Sequence, residues 1–267
     1  MLNDNEENHL RALRPTINPY GHALKVVCDR IKWDLHVQSW ISRKRLGFWK
    51  DRYSGGKAVI ICNGPSLLKS DLSLLKGVFT FGLNKINLLF DKSDFRPSCI
   101  VAMNPFVIDQ NCQFFNETNI PLFLDRYATK TVRSRNNIIY LHSAEQQKFA
   151  RDCSISVFQG YTVTFVAMQL AFHMGFKDVA LIGCDHNFAV KGQSNKVVVS
   201  GVKDESHFDP NYFAGGARWQ LPDLMQSEVA YALARDMYES YGRKIVNATE
   251  GGNLEIFERY GLTQFLS

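Results

Sequence analysis

From Lys57 onward the chain alternates between two textures. Short runs that are apolar at nearly every position are separated by longer stretches whose apolar residues recur every three or four positions. Lys57–Cys62, Val78–Gly82, Cys99–Met103, Pro121–Leu124, Ile138–Leu141, Asp178–Ile182 and Lys244–Val246 read as strands. A strand without in/out alternation is buried on both faces, as in a parallel sheet covered by helices. The intervening pattern predicts helices from Pro65 through Leu75, around Asn84–Phe90, over Thr164–Met174 and over Leu224–Tyr241. Strand and helix in this order imply an α/β, doubly wound, mainly parallel Rossmann-like sheet.

The first 54 residues differ. Residues 1–18 read as a flexible lead-in ending at Pro15 and Pro19. Between His22 and Trp49, Leu24, Val27, Cys28, Ile31 and Leu35 fall at helical spacing and predict one amphipathic helix. Its second half is basic and aromatic: Trp40-Ile41, then Arg43-Lys44-Arg45, Phe48-Trp49-Lys50 and Arg52. Three roles are open to it: packing on its own domain, pairing with a second subunit, or lying on anionic membrane through residues 40–52. The chain therefore divides into an N-terminal extension, 1–54, and an α/β domain, 55–267. Within that domain, His186–Pro222 follows neither period and mixes glycines with Tyr212, Phe213 and Trp219. So long and aromatic a connection reads as a lid or acceptor-binding insertion.

Composition narrows the class. With 267 residues, 45% hydrophobic and 21% charged, the chain can bury a full core and is neither fibrous nor wholly disordered. No apolar run approaches the ~18 residues that span a bilayer, and the polar, acidic start does not resemble a secretory signal. Six scattered cysteines without a C-x-x-C pair suit buried thiols in a reducing compartment. These features point to a cytoplasmic protein, with peripheral contact at the inner membrane face if the basic helix takes that role. A net charge of +5 is milder than a dedicated nucleic-acid binder shows, but fits an enzyme of anionic small molecules.

In an open parallel sheet, ligands bind beyond the carboxyl ends of the strands. The residues found there are Asn63-Gly64-Pro65-Ser66, Asn84, Asn104-Pro105 and Asp185-His186-Asn187. Asparagine offers both donor and acceptor, which suits a base edge, ribose hydroxyls and phosphate oxygens. Gly64 permits close backbone approach and Ser66 can cap the following turn, whose free N–H groups would face an anion. Thr162 or Thr164 can cap the next long helix or hold phosphate. Of seven histidines, His9, His22, His36, His142 and His173 read as structural, whereas His186 and His207 are the acid/base candidates. No zinc spacing, Walker loop or G-x-S-x-G elbow is present, so no metal site is expected.

Taken together, Val59 through Leu67, Asn84, Asn104-Pro105, and Thr162 through Asp185 resemble the bacterial sialyltransferases of glycosyltransferase family 42. The resemblance implies that Asn63, Ser66, Asn84, Asn104, Thr162 and Asp185 hold a CMP-linked donor. Three positions depart from that family. Val163 stands where it has serine, Asn187 where it has tyrosine, and the histidine expected a few residues after Ser206-His207-Phe208 has no counterpart. The donor half thus matches better than the catalytic half. Gly183 through Phe188, His207 through Phe213, and Arg243 through Thr249 with Gly251-Gly252 resemble a second, related group. This is the 6-hydroxymethylpterin diphosphokinase-like family, which includes motility-associated factors that glycosylate flagellin.

Three functions follow as expectations. The first is a glycosyltransferase moving a nonulosonic-acid-type sugar from a CMP donor to a surface glycan, lipid-linked or protein acceptor, with no cofactor and with His207 or His186 as base. The second is an ATP-dependent diphosphokinase of the pterin type, using Mg²⁺ on Asp185. The third is a non-catalytic nucleotide- or glycan-binding module. Neither the sugar nor the oligomeric state can be read from the residues, although a homo-oligomer is compatible with the N-terminal helix.

Overall fold

A computed structural model describes residues 18–144, 146–187 and 194–267. The expected lead-in up to residue 17, with His9, and positions 188–193 of the insertion lie outside the described residues. The N-terminal extension holds two helices, α1 (Pro19–Asp34) and α2 (Val37–Trp49). Strands β1 (Lys57–Ile61), β2 (Phe79–Leu83) and β3 (Cys99–Ala102) precede α3 (Pro105–Gln110) and α4 (Cys112–Glu117). Then come β4 (Leu122–Asp125), β5 (Ile138–Leu141), the two-residue β6 (Ser143–Ala144) and β7 (Val157–Phe158), and α5 (Val163–His173). The last part contains β8 (Asp178–Ile182), the hairpin β9 (Val197–Val199) and β10 (Arg218–Gln220), α6 (Leu224–Ser240), β11 (Lys244–Asn247), β12 (Glu258–Arg259) and α7 (Leu262–Leu266).

The main sheet has eight strands in the order β12-β11-β8-β1-β2-β3-β4-β5. Every pairing in it is parallel. This is the doubly wound α/β fold. From β1 the chain winds outward through β2, β3 and β4 to β5, then returns to lay β8 on the other side of β1. The order therefore reverses between β1 and β8, where the loops after the two strands part to leave a crevice.

The core has two faces, and β1 shows how. Ala58, Ile60 and Cys62 belong to one buried cluster, Val59 and Ile61 to the other. On the first face lies α5, with ten of its 11 residues buried between the sheet, α2 and α6. The second face is covered differently. Instead of the helix expected through Leu75, the chain makes two short 3₁₀ turns, Pro65–Lys69 and Leu72–Leu75, and a third at Ile86–Leu89. Asp71 breaks the first stretch by capping the second turn through Ser73 N–H at 2.9 Å. Further cover comes from Val107 and Ile108 of α3, Phe115 of α4 and Phe265 of α7, and from the insertion, whose Phe208, Tyr212, Phe213 and Trp219 are buried in this second cluster. Aromatics that read as a lid over a ligand are spent on the core.

The N-terminal segment also departs from expectation. It is two helices rather than one, because His36 turns out of the first and caps the second, its Nδ1 accepting from Gln38 N–H at 3.1 Å. The basic residues in and just after α2 are largely engaged within the chain. Arg43 pairs with Asp34, Arg45 donates to the carbonyls of Arg135 and Ile138, Lys50 pairs with Asp152 at 2.7 Å, and Arg52 lies over the Trp49 ring. Among the described residues no helix is long and apolar enough to cross a membrane.

Candidate functional site

The loops that follow β1 and β8 are bolted together at Asp185. Its Oδ2 accepts from the Ser66 amide at 3.1 Å and the Ser66 hydroxyl at 2.8 Å. The N–H at this turn, expected to face a ligand anion, is thus taken by the protein's own carboxylate. Gly64 makes room for it: a Cβ there would stand 1.8 Å from Asp185 Oδ2 and 2.7 Å from the Gly183 carbonyl. From the other side a Cβ on Gly252, at φ +72, would stand 2.9 Å from the Asp185 Cα and carbonyl oxygen, and Asn253 N–H donates to that carbonyl at 2.8 Å. The two loops and the turn after β11 form one rigid rim.

Behind this rim lies a crevice of about 140 Å³, lined by Asn63, Asn84, Thr162, Asp185, His186 and His207, with Tyr231 at its wall. Enclosing ligand pockets commonly exceed ~300 Å³, so this one takes a fragment the size of a base or sugar ring, the rest of a ligand reaching outward. A hollow of about 1250 Å³ opens at the opposite end of the sheet, near Lys57, Gly77 and Ser98. That end carries the amino termini of the strands, whereas ligands of open parallel sheets bind beyond the carboxyl ends, so we place the site in the crevice despite its smaller size.

Two side-chain oxygens in the crevice, Asn63 Oδ1 and Asn84 Oδ1, are buried without a hydrogen-bond partner. A buried acceptor left unmade costs on the order of 1–3 kcal/mol, so such atoms point to a ligand that supplies donors. Asn84 is also held at φ +50, a left-handed backbone that asparagine tolerates better than most residues.

Asn104 is not part of this group. Its Oδ1 accepts from Phe106 N–H at 2.9 Å, capping α3, and its Nδ2 donates to Gln220 at 3.1 Å. The expectation that three strand-end asparagines converge is corrected to two, because Pro105 starts a helix and Asn104 is its cap. Thr162 caps α5, accepting from Thr164 N–H at 3.3 Å, and its hydroxyl lies 3.4 Å from that of Tyr231. Thr164 is buried, with Oγ1 3.6 Å from the Cys62 thiol. A hydrogen bond with Cys184, together with burial, raises the Cys62 thiol well above its ordinary value, so it stays neutral.

Both candidate histidines border the crevice, each paired with a carboxylate. His186, at φ +51, lies 2.9 Å from Glu228 of α6 through Nε2. His207 Nδ1 meets Asp204 at 2.7 Å. Burial works against the Asp204 charge, but hydrogen bonds from His207, Ser206 N–H and Phe213 N–H outweigh it and hold its pKa below the ordinary value. An ionised Asp204 accepts only, so the hydrogen of this contact sits on Nδ1. Beneath the imidazole, Tyr212 stacks with ring centres 4.0 Å apart and planes 1° from parallel. Asp209, two residues after His207, pairs instead with Lys92. The segment is fastened to the rim where Phe208 N–H donates to the Asn63 carbonyl at 2.9 Å.

Sequence reasoning missed Glu228, Tyr231 and Lys85. The first two lie on α6, which was recognised as a helix without any indication of which face meets the crevice. Lys85 follows Asn84 directly. Its ammonium donates to Gln110 at 2.7 Å and to the Tyr212 carbonyl at 2.6 Å, and lies 4.8 Å from the Phe213 ring centre. Burial lowers it to about 8, against the opposing pull of Asp204. Among the described residues no three His, Cys, Asp or Glu side chains gather as a metal site.

A model of the 6-hydroxymethylpterin diphosphokinase MptE-like family matches residues 39–191, which include β1, β8 and the strand-end residues between them. The chain belongs to the MptE-like family. Among solved structures, this MptE-like chain is similar to the MAf glycosyltransferase from Magnetospirillum magneticum AMB-1, with a TM-score of 0.49 and 13% identity. That similarity covers 85% of this chain and 39% of the other, so the chain spans about two fifths of that protein's length. No curated protein matches.

Proposed function

We propose that this MptE-like protein is a transferase that binds a nucleotide-linked donor in the β1/β8 crevice. The donor we favour is a CMP-linked, nonulosonic-acid-type sugar, passed to a hydroxyl of a surface glycan, lipid-linked or protein acceptor. The carrying observation is the pair of buried, unpartnered oxygens, Asn63 Oδ1 and Asn84 Oδ1. They require donors, and a cytosine amine with ribose hydroxyls supplies them, whereas a phosphate does not. Among the described residues lining the crevice there is no lysine or arginine. A single phosphate, stabilised by the Thr162 hydroxyl and the amino end of α5, suits that surrounding better than a triphosphate.

In the transfer, His207 Nε2 takes the proton of the acceptor hydroxyl as its oxygen bonds to the anomeric carbon. The bond from that carbon to the phosphate oxygen breaks, and CMP leaves with the electron pair as a phosphate monoester. Asp204 holds the imidazole in the required tautomer and stabilises the imidazolium that forms. His186, bound to Glu228, is the less favoured base.

A second reading rests on the family match itself. It is a diphosphokinase of the 6-hydroxymethylpterin type, with ATP as donor. Mg²⁺ would then neutralise the phosphates, held by Asp185, whose single carboxylate suffices when substrate oxygens complete the shell.

Thermal shift with CMP, UMP, AMP, ADP and ATP, with and without Mg²⁺, tests both. Ligand at 100 times its Kd adds about 2.7 kcal/mol to apparent stability. CMP should stabilise most without a divalent ion, and Asn63→Ala should abolish that response. Stabilisation by ATP with Mg²⁺ and none by CMP would put the diphosphokinase first.

A further inference from the structure

The outward faces of α1 and α2 are apolar and, among the described residues, uncovered. On α1, Tyr20, Leu24, Val27 and Ile31 recur at four- and three-residue steps and lie on one side, and Leu35 continues the row. All are exposed, Leu24 at 64% and Leu35 at 80%. The opposite side of the helix is tied down. Trp33 is buried, Asp29 pairs with Arg126 and His142, and Arg30 reaches the Ser156 hydroxyl. On α2, Ser39, Ser42 and Leu46 face inward, whereas Val37, Trp40 and Phe48 face out, Trp40 at 68% exposed. Of the 19 large apolar side chains exposed among the described residues, nine lie between Tyr20 and Phe48. A concentration of this kind marks an interaction surface.

The charges around it select the occupant. Asp29 and Asp34 are the acidic residues of the two helices; Asp29 pairs with Arg126 and His142 of the body, and Asp34 with Arg30 and Arg43 of the helices themselves. Lys25, Lys32 and Lys44 are exposed and have no ion-pair partner among the described residues. The surface is therefore apolar with uncompensated positive charge at its edges. Two copies placed face to face would bring these lysines together, whereas an anionic bilayer satisfies stripe and lysines at once. We propose that α1 and α2 dock this protein on an anionic lipid surface, with Tyr20, Leu24, Val27, Ile31, Leu35 and Trp40 entering the interface. The contact expected at residues 40–52 thus shifts toward the N-terminus, since Arg43, Arg45 and Lys50 are engaged in the fold.

The experiment is co-sedimentation of the full chain with vesicles of phosphatidylcholine alone or mixed with phosphatidylglycerol. Binding is expected for the mixed vesicles alone and should weaken with salt. At ~1 kcal/mol per basic residue, the Lys25→Gln/Lys32→Gln/Lys44→Gln variant should lower partitioning on the order of a hundredfold. Leu24→Glu/Ile31→Glu should abolish it while leaving the melting temperature of the body unchanged, because both side chains are already solvent-exposed. Failure of the parent protein to bind, or equal binding by the variants, overturns the proposal. So does sedimentation equilibrium showing a dimer that Leu24→Glu/Ile31→Glu dissociates. None of these outcomes depends on which nucleotide the crevice takes.

Discussion

Replacing Gly64 by alanine adds one methyl group at the point where β1 and β8 are joined. The backbone there has φ −72, which any residue adopts, so the effect is one of space alone. The new Cβ would lie 1.8 Å from Asp185 Oδ2, 2.7 Å from its Cγ and 2.7 Å from the Gly183 carbonyl. Two of these neighbours belong to a carboxylate fixed by two hydrogen bonds and the third to backbone, so none can yield without loss. Overpacking costs about 1–3 kcal/mol, and releasing Asp185 from Ser66 gives up charge-assisted bonds of about 1.5–3 kcal/mol. The sum, about 2.5–6 kcal/mol, corresponds to a fall in Tm of roughly 10 °C for a chain of this size. The control is Gly47→Ala in α2, where a Cβ meets nothing within 4 Å. That variant should gain about 0.5–1 kcal/mol of helix propensity. Differential scanning calorimetry of the three proteins decides the matter. A Gly64→Ala protein melting within about 2 °C of the parent would refute the reasoning, since the rim could then not be as tightly joined as described.

Other perturbations separate binding from chemistry. His207→Ala should lower transfer about 10²–10⁴-fold while CMP-induced stabilisation persists, and His186→Ala should lose less; single-turnover assays on both variants decide it. Asp204→Asn should resemble His207→Ala, because the neutral amide no longer enforces the tautomer, and full activity would remove Asp204 from the mechanism. Asn104→Ala should lose about 1 kcal/mol in urea denaturation through the α3 cap, with nucleotide affinity unchanged. Lys85 titrates at about 8 when folded and near the ordinary 10.5 when unfolded, so between these values the unfolded chain binds more protons. Its contribution to stability therefore rises with pH across that window, and urea denaturation of Lys85→Met should lack that rise.

The parallel sheet was legible because burial on both faces leaves no polar alternation in Val59–Cys62 or Val179–Ile182. Strand ends follow from the same reading, which is why Asn63, Asn84 and Asp185 were found. What the sequence concealed was competition among local hydrogen bonds. Asn104-Pro105 carries the same residues whether it binds a ligand or caps a helix, and the Phe106 amide takes the side chain. Ser66 looked like a cap with free amides, but its partner, Asp185, lies 119 residues away. The helix expected from His22 to Trp49 broke because His36 can serve as a cap, a role that periodicity does not register. Glu228 and Tyr231 remained hidden for another reason: α6 is amphipathic enough to announce itself, yet only tertiary packing says that one edge of its buried face reaches the crevice.

The insertion shares its aromatic side chains with the second core. Pulling Phe208, Tyr212, Phe213 and Trp219 out of it would expose four large apolar groups, at about 1.5–3 kcal/mol each. The total is comparable to the whole stability of an ordinary domain, 5–15 kcal/mol. The segment that carries His207 is therefore held in place by its own packing, as a fixed wall of the crevice. The same economy binds heredity: a substitution that reshapes this wall also alters the packing that keeps the chain folded. The 204–213 segment should then change slowly, and through compensated pairs of changes rather than single ones.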